Sequence, residues 1–329
     1  MIEKEDILAL KNREDMKRYL SIVGQFYNFS PENCLLIKRQ NPRATQLLEE
    51  KAWEKHFNRR PRNDEKPITL IIPAKEDDEL KYREIHCFDI EQTDGQPLYL
   101  MRSGERNIPT VLFSAIREIC EYSIIRAGAD EDELIKYGET GYFNEWKNAI
   151  VIKKGLSIDR ENIILLRELI RSRDNYSEFE TQAITYAAAE KLGLNSSLVS
   201  LTSLVSIKDE NEMRNTIGAI QAGIYTLFLD LLPALYSKAA RHTDEEDAEY
   251  AVPFGIEEVE LLNYFFKKPD KEYFLNVLKD LQNNTEELGI SKTIDGLIER
   301  IMSMGQDEIK RLYQERIGYK LMENMIRNR

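Results

Sequence analysis

Cysteine and histidine are scarce in this chain. Three cysteines, Cys34, Cys87 and Cys120, are scattered through 329 residues with no C-x-x-C pair. That spacing argues against a disulfide framework or a cysteine-built zinc site, and points to reduced thiols in a cytoplasmic protein. The three histidines, His56, His86 and His242, show no ligand spacing either. No apolar run is long and clean enough to cross a bilayer. The best, Ile217 to Leu235, is interrupted by Gln221, Asp230 and Pro233 and reads as a buried helix. The opening Met1-Ile2-Glu3-Lys4-Glu5-Asp6 has no signal-peptide core. Glycine-rich phosphate loops, G-x-S-x-G elbows, internal repeats and low-complexity tracts are missing. Neither a cofactor nor a membrane partner is expected.

What is present is a globular composition, 42% hydrophobic and 32% charged, on a length that suits two or three domains. The net charge of -12 argues against a generic nucleic-acid binder. The charge is uneven, however. Residues 38–66 carry nine Lys and Arg against five Asp and Glu. One basic segment on an acidic chain fits a localised anion-binding face, and equally a solvated helix surface.

Hydrophobic periodicity predicts a helix over residues 4 to about 27. A break follows at Asn28-Phe29-Ser30-Pro31, with Ser30 as N-cap and Pro31 in the first turn of the next helix. A further helix is expected from about Ala44 to His56, then a basic turn from Arg59 to Asp64. Ile68 to Ile72 and Tyr82 to Ile90 read as strands. Residues 109–126 read as helix, and Tyr142-Phe143 with Ala149 to Ile152 as a hairpin. Two helices follow. One starts after Ser157 or Asp159, and the other runs from Ser177 to a stop at Gly193. Beyond Glu210 the pattern is helical, with a long apolar helix kinked near Pro233, a solvated acidic linker at Asp244 to Glu249, and about three amphipathic helices in 256–329. The expected architecture is α+β: a small α+β domain at 1–105, a second α+β domain at 106–248 and an all-helical region at 249–329.

The basic segment interleaves cations with aromatics. Single-strand binding uses aromatic faces for bases and Lys or Arg for phosphates. The candidates are Tyr27, Phe29, Lys38, Arg39, Arg43, Trp53, Arg59, Arg60, Arg62 and Lys66. The competing reading makes Phe26, Phe29 and Trp53 core residues.

Several ordered motifs share this region. Phe26-Tyr27-Asn28-Phe29-Ser30-Pro31-Glu32-Asn33-Cys34-Leu35-Leu36-Ile37 is followed by Gln40-Asn41-Pro42-Arg43-Ala44-Thr45, then Trp53, then Ile68 to Pro73. Phe88-Asp89-Ile90-Glu91-Gln92-Thr93-Asp94-Gly95 closes the series as F-D-x-x-Q-T-x-G. Residues 18 to 95 thereby resemble the N-terminal single-stranded-DNA-binding domain of the ArdC-type antirestriction family. The family's glycine-bearing basic turn is altered here. Asn58 to Lys66 keeps Arg and Lys but lacks the glycines, so the turn takes another shape. Gly141-Tyr142-Phe143, Asn148 to Ile152, Leu156-Ser157 and the run Glu180 to Leu194 resemble the zincin-like half of the same family. The resemblance therefore reaches to about residue 200.

In that family the first helix carries H-E-x-x-H, two histidines on one helical face for zinc and a Glu that activates the bound water. Here it reads Arg167-Glu168-Leu169-Ile170-Arg171. An arginine keeps its proton and offers no lone pair to a metal. The zinc site, and with it hydrolytic activity, is expected to be lost. Glu180 matches the family's third ligand. It is expected to pair with Arg167 or Arg171 across two helices, in place of the metal. The alternative leaves Glu168 and Glu180 as ordinary solvated helix residues.

The resemblance implies a non-enzymatic, pseudo-metallopeptidase protein of a bacterial mobile element or phage. It would bind single-stranded DNA in an antirestriction role, with a host or element-encoded protein as a further partner. A protein-interaction or anti-defence module that no longer binds DNA is the competing reading. A residual hydrolase using Glu168 without zinc is the third.

Overall fold

The computed structural model describes residues 2–76, 79–95, 108–201, 207–239, 268–284, 288–310 and 312–313. The fold is α+β. It divides into two compact units, one of residues 1–45 with 102–242 and one of residues 46–101 with 243–329. This division differs from the expected 1–105, 106–248 and 249–329, because the N-terminal helices pack on the later helices of the first unit. The acidic stretch Asp244 to Glu249 lies outside the described residues, as do parts of the expected C-terminal helices.

In the first unit, α1 (Lys4–Ala9) and α2 (Arg13–Gln25) replace the single long helix expected at the start, and α3 (Pro31–Gln40) is the helix expected after the break. The chain re-caps at Asn12, whose side chain accepts from the amides of Glu14 and Asp15. Ser30 caps α3 by accepting from Asn33 N, and Pro31 opens it, as the sequence predicts. Next come α5 (Ile108–Ile119), β6 (Ser123–Ala127), α6 (Glu133–Lys136), β7 (Gly141–Asn144) and β8 (Ala149–Lys153). Three long helices complete the unit: α7 (Ile158–Arg173), α8 (Glu178–Leu192) and α9 (Glu210–Ala239). The helix expected through 126 therefore stops early, and its end is a strand. Helix α9 continues through Pro233.

The sheet order is β6-β8-β7, with β6 parallel and β7 antiparallel to β8. Strand β8 is central and buried, and helix α7 packs against β7 and β8. Helix α8 packs against α2, α7 and α9. Gly24 permits the α2–α8 crossing, since a Cβ there would lie 2.2 Å from Ala187 O.

In the second unit, β1 (Leu47–Glu49), β3 (Ile68–Glu76) and β4 (Glu79–Asp89) form an antiparallel sheet of order β1-β4-β3. Helix α4 (Glu50–Phe57) packs beside it through Trp53 and Phe57, with Leu48 and Phe88. Strand β2 (Arg59–Pro61) pairs with β5 (Thr93–Gly95), so the expected basic turn is in part a strand. The helix expected from Ala44 starts only at Glu50, because Leu47 to Glu49 is taken into the sheet. Farther on, α10 (Lys271–Asn284) packs against α11 (Leu288–Ser303) around Phe274, Leu278, Ile294, Leu297 and Ile301.

Candidate functional site

Helix α7 presents Arg167, Glu168 and Arg171 toward β7. The spacing requires it, since residues three apart share a face and Leu165, Leu166, Leu169 and Ile170 fill the core around them. Glu168 is fully buried, with 0% exposure. Its Oε1 accepts from Arg167 Nε at 2.6 Å and from an Arg171 guanidinium nitrogen at 3.0 Å. Its Oε2 accepts from the same Arg171 nitrogen at 2.9 Å and from the backbone N–H of Phe143 at 3.0 Å. Both carboxylate oxygens are thus occupied twice. The Arg167 guanidinium also donates to Gly141 O at 2.9 Å. A Cβ on Gly141 would sit 2.3 Å from Ile164 Cγ2, so a glycine is what lets this strand approach the helix.

The link to α8 is made, but by a different carboxylate from the one expected. Arg171 donates to Glu178 Oε2 at 2.6 Å, and Glu178 Oε1 accepts from Gln182 at 2.8 Å. Glu180 instead completes a capping box with Ser177, accepting from its amide at 2.8 Å and its hydroxyl at 2.7 Å. The expected Glu180–arginine pair is therefore corrected to Glu178–Arg171. Burial lowers the proton affinity of Arg171, but Glu168 and Glu178 outweigh it and raise it overall. Two guanidinium groups and two carboxylates form one neutral network across β7, α7 and α8.

A zinc or manganese ion does not fit this arrangement. The Arg167 and Arg171 guanidinium groups offer a metal no lone pair, and the Glu168 carboxylate between them is filled by hydrogen bonds from its neighbours. His56 has lost proton affinity through burial and the adjacent Lys55, and its Nδ1 has no partner. His86 meets Thr69 Oγ1 through Nδ1 at 3.2 Å. His242 lies outside the described residues.

The expected nucleic-acid-binding residues fall into both units. Phe29 and Trp53 are core residues, 7% and 0% exposed. The indole of Trp53 donates to Phe88 O at 2.8 Å. Neither is available as a base-stacking platform. Tyr27 is half-buried with its ring edge-on to Phe228. In the same unit Lys38 is half-buried against Asp15, Arg39 pairs with Asp6, and Arg43 is exposed. In the second unit Arg59 turns inward, donating to Thr93 Oγ1 and O. Arg60 is exposed beside Glu54, Arg62 beside Glu65 and Asp94, and Lys66 is exposed. An open depression between the end of α4 and the β2–β5 ribbon is lined by Glu54, Asn58, Arg59, Arg60, Asp94 and Gly95.

The most exposed aromatics among the described residues escaped the sequence reading: Tyr82 on β4 at 71%, Tyr137 after α6 at 81%, and Trp146 at the β7–β8 turn at 99%. Tyr82 stands in the run Lys81-Tyr82-Arg83, a cation–aromatic–cation pattern that was visible in the sequence.

No known family model matches the chain, and no curated protein matches it. Among solved structures, it is similar to an antirestriction protein. That protein is ArdC of plasmid R388. Its Mn(II)-bound structure matches with 15% identity and a TM-score of 0.37, over 64% of this chain and 86% of that one. Its metal-free structure matches with 16% identity and a TM-score of 0.36, over 64% and 84%.

Proposed function

We propose that this protein is a non-enzymatic single-stranded-DNA-binding protein, in which the helices α7 and α8 with β7 are a scaffold. The observation that carries the non-enzymatic part is the state of Glu168. A general base needs a free lone pair directed at a water or substrate proton. The carboxylate of Glu168 spends both oxygens on Arg167, Arg171 and Phe143 N, away from solvent.

The DNA-binding part is supported by the motif order in residues 26–95 and by the exposed cations Arg60, Arg62 and Lys66 of the second unit. The ion pairs of Arg60 and Arg62 are at the surface, where such pairs contribute about 0–1 kcal/mol. A phosphate can exchange with their carboxylate partners at little cost. With Phe29 and Trp53 in the core, binding rests on phosphate contacts, and Tyr82 is an aromatic of the second unit open to a base. Protection of incoming DNA against restriction, for a bacterial mobile element or phage, is the role that the motif resemblance suggests.

Fluorescence anisotropy with a labelled single-stranded oligonucleotide tests this reading. Binding should weaken with salt with a log–log slope near -2, from about three phosphate contacts at roughly 0.7 each. Replacing Arg60, Arg62 and Lys66 by Ala should flatten that slope. Tyr82→Ala should weaken binding about fivefold or more if it stacks on a base. An absence of binding at about 50 mM salt defeats the proposal.

Trp146 favours a second reading, a protein-interaction module. A tryptophan this exposed at a hairpin tip is of the residue type that anchors interfaces. Retention of a bacterial partner by the wild type, lost on Trp146→Ala while DNA binding is absent, would favour it over the first.

A further inference from the structure

The residues that stand where metal ligands would be have a geometric relation to the edge of the sheet. Among the described residues, strand β7 pairs with β8 alone and stands at the edge of its sheet. Thr140 O accepts from Lys153 N at 3.0 Å, an ordinary ladder bond. The antiparallel ladder alternates, so Tyr142 and Asn144 face β8, whereas Gly141 and Phe143 turn their N–H and C=O outward. An outward row of this kind is a template for another strand. Here Gly141 C=O accepts from Arg167 and Phe143 N–H donates to Glu168.

Those two groups flank Tyr142. In a parallel ladder, one residue of an added strand donates to the carbonyl on one side of its opposite residue and accepts from the amide on the other. We infer that the side chains of Arg167 and Glu168 act together as a surrogate for one residue of a parallel strand, closing the β7 edge to backbone pairing by peptides or other chains. The guanidinium supplies the N–H and the carboxylate supplies the acceptor. Arg171 holds that carboxylate in place from its other side and ties it to Glu178 on α8. The substituted motif thereby has a task of its own, blocking an edge rather than holding a metal. The inference concerns the first unit alone and does not depend on DNA binding.

Residue-resolved amide hydrogen exchange on the full chain tests it. In the wild type the Phe143 amide should be protected, although among the described residues no strand lies beyond it. Glu168→Ala should speed exchange at Phe143 by about tenfold, the loss of one hydrogen bond to a charged group. The amides of Tyr142 and Asn144, which face β8, should keep their rates. If Glu168→Ala loses protection throughout the sheet, the size-matched Glu168→Met, which has no oxygen to accept from Phe143 N–H, decides, with Phe143 alone accelerating. A Phe143 amide that exchanges at the free rate in the wild type overturns the inference. So does an unchanged Phe143 rate in a Glu168→Met protein whose sheet is intact.

Discussion

At the scale of single residues, Glu168 and its two neighbouring acids make a graded set. Removing the buried Glu168 as Glu168→Ala leaves two half-buried arginines and the Phe143 amide without their acceptor. Loss of one member of such a buried pair costs about 3–5 kcal/mol, and the partial exposure of the arginines brings the expectation to about 2–3 kcal/mol. Glu178→Gln cuts an exposed pair and should cost under about 1 kcal/mol. Glu180→Ala removes the capping-box partner and should cost about 0.5–1 kcal/mol. Denaturant unfolding of the three variants checks the order. The different fate of Glu180 was legible in the sequence. Ser177-Glu178-Phe179-Glu180 is an S-x-x-E capping signature, which commits Glu180 to the helix start and leaves Glu178 for Arg171. Nothing local told that Phe29 and Trp53 would be buried, because the same residue types serve cores and stacking surfaces.

Lys191 carries a second prediction at this scale. It sits half-buried near the Tyr27 ring, and burial lowers its pKa to about 8 from the ordinary 10.5. Between those values the folded chain has released its proton while the unfolded chain still holds it. Stability should therefore rise as the pH climbs from about 8 to 10.5, and the handicap is present in full below that window. Lys191→Met should be more stable than the wild type at pH 7 and should flatten this slope. Unfolding midpoints across the range measure both.

At the scale of elements, glycines separate close crossings from open helix surface. A Cβ at Gly24 would meet Ala187 O at 2.2 Å, a backbone atom that cannot swing away. Gly24→Ala should force α2 and α8 apart at about 1–3 kcal/mol. Gly218 in α9 has nothing within 4 Å of the same position. Gly218→Ala should stabilise by about 0.5–1 kcal/mol through helix propensity. Thermal midpoints that shift in opposite directions would bear this out. Elements with local signals were readable from sequence: the Ser30-Pro31 start, the β7–β8 hairpin, and α8 between Ser177 and Gly193. Those whose identity rests on distant pairing were not. Arg59-Arg60-Pro61 has no alternating apolar pattern and becomes a strand only against Thr93 to Gly95. Ser123 to Ala127 continues the apolar run of α5 without an intervening Gly or Pro, and only β8 makes it a strand.

At the scale of the whole molecule, the chain divides where the motif series does not. Residues 26–45 of the series belong to the first unit and residues 46–95 to the second. Sequence order alone could not reveal this, since packing of α2 on α8 joins residues far apart in the chain. Exposed cations stand in both units, and under the proposed function the acidic total of -12 would keep attraction to DNA local and salt-sensitive. We propose that helix α7 provides architecture in place of metal chemistry. Titration of the purified protein with Zn(II) and Mn(II), followed by calorimetry and elemental analysis after dialysis, tests it most directly. No stoichiometric uptake is expected, and no change when Glu168 is replaced by Gln. One tightly held ion per chain, lost on Glu168→Gln, would contradict it.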